Sequence, residues 1–182
     1  MQTNQSNRFG RHDLLIKLSS IPLAMLLCGS VFAQPANDEC DTANVILSSA
    51  PPDAYTDTVD ATNATFNGDD PLLTCNNGGG GDGTQTVWWQ YTPDTSGNVN
   101  ITTAGSETAG GTELDTAHGA FTGSCGALTQ VACIDSGLTD DLNFAVEAGT
   151  TYYIKVGQFA DASDAGSVTV SVLEGREVQV PG

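Results

Sequence analysis

The residues with chemistry to offer beyond the N-terminal segment of this sequence are mainly carboxylates, four of the five cysteines, one of the two histidines and a tryptophan pair, and many of them gather in residues 113–135, ELDTAHGAFTGSCGALTQVACID. That stretch reads as two extended segments, over 116–122 and 128–134, joined by a turn at Gly123-Ser124-Cys125-Gly126. Asp115 and Asp135 bracket the hairpin at its outer ends. His118 and Asp115 suggest a Ser-His-Asp triad on paper. Three residues apart on a strand they point to opposite faces, and no nucleophile-elbow sequence accompanies them. Glycoside hydrolysis needs a particular pair of carboxylates, and no motif singles one out among the acids. The glycine-rich run at 78–83 lacks the lysine and serine of a phosphate-binding loop, and Asp82 within it would repel a phosphate. The expectation is a protein that is not an enzyme.

The cysteines point to structure instead. Cys28 falls in an N-terminal leader, which leaves Cys40, Cys75, Cys125 and Cys133, an even number in a chain addressed to an oxidising compartment. Zinc would need a CxxC knuckle or more histidine than His118, the one histidine beyond the leader. Two disulfides are expected. The favoured pairing is Cys40 with Cys75 and Cys125 with Cys133, because the hairpin itself would bring the second pair together.

The leader is expected over residues 1–33. Arg8, Arg11 and Lys17 form its basic end, 21–27 its apolar core, and Val31-Phe32-Ala33 a cleavage site with acceptable residues at −3 and −1. The apolar run is well short of the roughly 18–20 residues that span a bilayer, and a lipid-anchored reading of Cys28 is weakened by Leu27 before it. The chain is therefore expected to be secreted, extracellular or periplasmic, without membrane insertion. Losing three bases and one acid takes the formal charge from −17 to −19, with only Lys155 and Arg176 positive. Such a surface repels nucleic acid and anionic lipid. It suits either divalent cations or simple solvation in a saline medium.

Behind these side chains lies a β pattern. Short β-branched runs separated by Gly, Asp, Asn and Ser predict strands over 43–47, 55–59, 86–91, 98–103, 116–122, 128–134, 142–146, 151–156 and 168–172. Residues 37–41 read as one capped helical turn, and 104–112 as a flexible stretch. The expected fold class is all-β: a single-domain antiparallel β-sandwich of jelly-roll or Greek-key type, with eight to nine strands over 34–173 and a short polar tail over 174–182. In the strongest strand Val87, Trp89 and Tyr91 share one face and Trp88 takes the other. Trp88 either packs under a loop or forms an exposed platform for a sugar ring.

NDEC near the mature start, Cys75 before VWWQYTP, then LDTAHGAFTGSCG, VACID and AGTTYYIKV resemble, in that order, the secreted bacterial β-sandwich modules related to the pre-peptidase C-terminal domain, and more loosely CUB domains. The resemblance covers 37–173. It implies a non-catalytic module used in adhesion, substrate attachment or secretion, and here one expected to stand alone. From the CUB-like likeness it implies calcium held by Asp115 and Asp135, with Glu113 beside them and Asp140 or Asp141 as a further acid. The residues themselves also allow Asp115 and Asp135 to be turn caps. Asp161-Ala162-Ser163-Asp164 lacks the glycine and distal glutamate of an EF-hand loop. The expected function is binding or adhesion to extracellular protein or polysaccharide, calcium-stabilised on the implied reading. The alternative is a structural subunit of a matrix or surface layer. Asn63-Ala64-Thr65 and Asn100-Ile101-Thr102 match glycosylation acceptors, incidental in a bacterial protein.

Overall fold

The computed structural model describes residues 33–48, 54–75, 84–138, 140–159 and 166–175. A 3-10 turn at Cys40–Thr42 opens it, with no side-chain cap at Glu39. Ten strands follow: β1 (Asn44–Ile46), β2 (Tyr55–Asp60), β3 (Thr86–Tyr91), β4 (Gly97–Thr102), β5 (Glu107–Thr108), β6 (Thr116–Ser124), β7 (Ala127–Ile134), β8 (Asp141–Val146), β9 (Tyr152–Gln158) and β10 (Gly166–Gly175). One sheet has the order β1-β3-β9-β6-β7 and the other β2-β10-β4-β8, with β5 paired to the start of β10. Pairing is antiparallel except for β1, which runs parallel to β3. The all-β, two-sheet architecture is as the alternation predicts. Residues 104–112 carry β5, which the pattern missed, and β10 runs to Gly175, beyond the expected end at 173. Residues 1–32 of the expected leader, the glycine-rich run 78–83, the acids at 161–164 and most of the tail, 176–182, lie outside the described residues.

Alternation builds the core between the sheets. Val87, Trp89 and Tyr91 of β3, Ile154 and Val156 of β9, and Ala120 of β6 meet Val99 and Ile101 of β4 and Val168, Val170 and Val172 of β10. Each fully buried aliphatic or aromatic side chain contributes about 1.5–3 kcal/mol relative to exposure. The first sheet is also covered on its outer face. Leu73, Trp88, Ala117 and Phe121 form a second buried cluster there, with Trp88 and Phe121 rings 6.0 Å apart and inclined at 49°. Leu73 comes so close that a Cβ on Gly119 would stand 2.6 Å from its Cδ2. Lys155 lies opposite Trp88 in the ladder, fully buried, donating to the Pro71 carbonyl at 2.7 Å and sitting 4.9 Å from the centre of the Phe66 ring.

Both disulfides fasten this outer cover, and their pairing corrects the expected one. Cys40 is bonded to Cys125 and Cys75 to Cys133, with Cα separations of 5.7 and 5.8 Å. Cys125 lies in the hairpin turn, whereas Cys133 stands opposite Gly119, far down the ladder from the Ser124–Ala127 pair. Eight residues of extended chain reach roughly 25 Å. A disulfide needs Cα atoms within about 7 Å, so the hairpin that seemed to join Cys125 and Cys133 holds them apart.

Candidate functional site

Two acidic regions and one groove stand out. At the open end of the hairpin, Asp115 immediately precedes β6 and Asp135 immediately follows β7, and the register His118 opposite Ile134 sets them at the same end. Burial pushes the Asp115 carboxyl above its ordinary value, with further contributions from the charges of Asp135 and Asp140. Asp135 is raised by burial and then by Asp140. Asp140 itself is buried and works as a turn cap: the Ser136 hydroxyl donates to it at 2.6 Å and the Ser136 N–H at 3.1 Å. Glu113 sits in an isolated backbone bridge with Glu107, and Asp141 begins β8 as an exposed residue.

The sequence thus correctly brings Asp115 and Asp135 together, with Asp140 as their neighbour. Set against calcium's six to eight oxygens, the fit is partial: two mutually repelling carboxylates, and a third already engaged by Ser136. Among the described residues no group of three or more His, Cys, Asp or Glu is arranged to hold a metal ion.

His118 is placed by alternation on the inner face of β6, fully buried, with Nε2 3.3 Å from the Ile101 carbonyl across the sandwich. Burial lowers its pKa to about 4, so it is neutral near pH 7. Enclosed in the core, it has no access to a substrate. Trp88 is corrected in the same way. It is 0 % exposed, packed under the residues leading to Cys75, and is not a surface platform for a sugar ring. The loop-packing alternative is the one realised.

The second acidic region was not singled out by sequence. A cleft of about 270 Å3 opens between the 3-10 turn, residues 69–71 and the hairpin tip, with the Cys40–Cys125 disulfide in its wall. Glu39, Asp41, Asp69 and Asp70 supply carboxylates, while Pro71 and Leu128 supply apolar surface and Trp88 lies buried behind the wall. Asp70 is fixed, accepting from the Thr86 hydroxyl at 2.7 Å and the Asn67 N–H at 3.1 Å. Beside the cleft, Asp38 is likewise fixed by Thr65, through its N–H at 2.6 Å and its hydroxyl at 2.8 Å. Glu39 accepts from the Asn67 amide, yet its carboxyl is raised, first by burial and then by Asp38, Asp70 and, more weakly, Asp69. Asp41 and Asp69 are exposed and accept no hydrogen bond among the described residues. The available signal was the coincidence of two acid pairs, Glu39/Asp41 around Cys40 and Asp69-Asp70 shortly before Cys75. It became legible only once the disulfide partner of Cys40 was known.

The groove, of about 570 Å3, runs along edge strand β1, where Val45 and Leu47 are exposed beside Gln90, Thr92, Asp94 and Thr151. No helix among the described residues is long and apolar enough to cross a membrane. A search of curated proteins returns no significant match to the chain. Residues 36–171, from the turn before β1 into β10, match a T9SS-associated family described as galactose binding domain-like. The chain, an all-β sandwich over that same span, therefore belongs to the T9SS-associated galactose binding domain-like family.

Proposed function

We propose that this protein is a secreted, non-catalytic module that binds extracellular polysaccharide or protein through one end of its sandwich. The observation that carries this reading is the cleft beside the Cys40–Cys125 disulfide, where Asp41 and Asp69 present carboxylates that no described residue engages. Preorganised polar groups on a covalently fastened frame bind at low ordering cost. Family membership supports a binding role, the disulfides support an extracellular or periplasmic location, and the burial of His118 argues for binding over acid–base chemistry. The likeness to pre-peptidase C-terminal modules adds the adhesive use implied for them. Calcium enters as a stabiliser at the other acidic end, where Asp115 and Asp135 would hold it and its charge would relieve their repulsion.

The direct test is retention of the oxidised protein on arrays of glycans and matrix proteins, compared with Asp41→Asn and Asp69→Asn variants. One observation favours a second reading, a structural subunit of a matrix or surface layer. Edge strand β7, ALTQVACI, carries neither charge nor proline, the usual guards of a sheet edge, although a bulge opposite Ala120 and Phe121 interrupts it. A subunit assembled through that edge would oligomerise as protein concentration rises, while a binding module would stay monomeric.

A further inference from the structure

Beside the acidic cleft, Asn67 and Gly68 carry covalent chemistry of their own. Asn67 opens a turn that ends at Asp70: the Asp70 N–H donates to the Asn67 carbonyl at 3.0 Å, and the Asn67 N–H donates to the Asp70 carboxylate at 3.1 Å. Gly68 lies between those bonds and shares in neither. It is exposed, its N–H donates to nothing among the described residues, and no atom beyond its chain neighbours stands within 4 Å of where a Cβ would be. The amide nitrogen of the Asn67 side chain donates to the Glu39 carboxylate. In an Asn-Gly step the backbone nitrogen meets the preceding side-chain carbonyl most readily, because glycine has no Cβ to hinder closure of the five-membered ring. Here the nucleophile is unengaged, and the nitrogen that must leave already touches a carboxyl group.

We propose that Asn67 is a self-modification site, converted in the folded protein to aspartate or isoaspartate, with Glu39 as the proton donor to the departing nitrogen. The Gly68 nitrogen attacks Cγ of Asn67, forming a C–N bond and releasing its own proton to solvent. The bond from Cγ to Nδ2 breaks, and that nitrogen leaves as ammonia with a proton from Glu39, which solvent restores. Water then opens the succinimide, its hydroxyl going to one carbonyl carbon and its proton to the Gly68 nitrogen. Addition at Cγ gives aspartate; addition at the backbone carbonyl gives isoaspartate. Neither route needs an oxidant, a metal or a second protein. Burial, and after it the charges of Asp38 and Asp70, raise the Glu39 carboxyl, so it keeps its proton to a higher pH than a free glutamate.

The product alters the cleft. It removes the amide donor from Glu39 and sets a new carboxylate beside it. Isoaspartate also lengthens the backbone by a methylene at the start of the turn whose Asp70 accepts from Thr86. The cleft wall therefore grows more acidic with the age of the protein, a property separate from whatever the cleft binds.

The test is to incubate the oxidised protein near neutral pH, cleave before aspartates, and read residues 60–68, a fragment without cysteine, by mass. Asn63, followed by Ala64 in the same fragment, is the internal standard. Position 67 should become acid while Asn63 stays an amide; a new cut before position 67 marks aspartate, and uncut acid marks isoaspartate. Conversion in the folded protein should be at least as fast as in the same chain reduced and unfolded in urea at the same pH. Glu39→Gln, at an exposed position, should slow it by at least about tenfold, a modest share of what a positioned proton donor contributes. That gap should widen as pH falls toward the carboxylate range. Gly68→Ala, with open space for its methyl group and no left-handed φ, should fold and almost stop conversion. Slower conversion in the folded than in the unfolded chain would overturn the inference. So would undiminished conversion in Glu39→Gln or Gly68→Ala, or a gap that stays constant with pH.

Discussion

The indole N–H of Trp89, on β3 of the first sheet, donates to the Asp57 carboxylate, on β2 of the second, at 2.9 Å. Asn44 of β1 donates to the same oxygen at 2.8 Å. Asp57 thus fastens one edge of the sandwich by joining three strands of two sheets. Its side chain turns inward with Tyr55 and Val59 because all three share one parity of β2. An Asp57→Ala variant strands the buried indole donor and should lose about 2–3 kcal/mol of stability by denaturant unfolding, while Asp57→Asn, which keeps an acceptor, should lose less. A change below about 0.5 kcal/mol for the alanine variant would show that water takes over the acceptor role.

His118 makes the fold acid-sensitive. Its folded pKa of about 4 lies below the ordinary 6.5, burial being the main cause, so the unfolded chain binds the proton more readily. Stability is fully present above pH 6.5 and declines as pH falls through the window from 6.5 to about 4. The loss is on the order of 3 kcal/mol for a shift of that size. A His118→Gln variant should show a flatter stability profile across that window. A profile as steep as the parent's would place the acid sensitivity elsewhere.

Asp115 and Asp135 act with the opposite sign. Their folded values are raised, so their contribution is present below the ordinary carboxylate value and lost as pH rises through the folded one. At neutral pH, without calcium, Asp135→Asn should therefore raise stability slightly, by less than about 1 kcal/mol because these partly exposed charges are screened. Calcium should reverse the ranking. At a hundredfold excess over its dissociation constant it should add about 2.7 kcal/mol to the parent and nothing to the variant. Equal melting temperatures in calcium and in chelator would reduce the pair to surface charge.

The disulfides can be read chemically. Cleavage before aspartates under non-reducing conditions leaves Cys125 and Cys133 in one fragment, since no aspartate lies between Asp115 and Asp135. That fragment should be joined to both the Cys40 and the Cys75 fragments. An internally looped fragment, with Cys40 joined to Cys75, would contradict the structure. Replacing Cys40 and Cys125 together should cost about 2–4 kcal/mol and loosen the cleft wall.

What the sequence revealed followed the reach of its signals. β3 matches its predicted bounds, and β9 differs by a residue at its start and two at its end, because alternation of large apolar side chains is a local property. β5 was missed because Glu107 and Thr108 carry no such pattern; their pairing depends on Gly166, where a Cβ would collide with the backbone of both residues. The burial of Trp88 turned on which loop covers the outer face of its sheet. The pairing of Cys40 with Cys125, 85 residues apart, likewise depended on tertiary placement, and the acidic cleft depended on that pairing in turn. Asp115 and Asp135 were found from sequence because one hairpin register brings them together.

The most direct test of the binding-module account is retention of the purified, oxidised protein on glycan and matrix-protein arrays, with its oligomeric state followed over the same concentrations. The account predicts a monomer retained by a defined ligand, with retention weakened by Asp41→Asn and Asp69→Asn. A protein that ignores every ligand and assembles as its concentration rises would contradict it and establish the structural-subunit reading in its place.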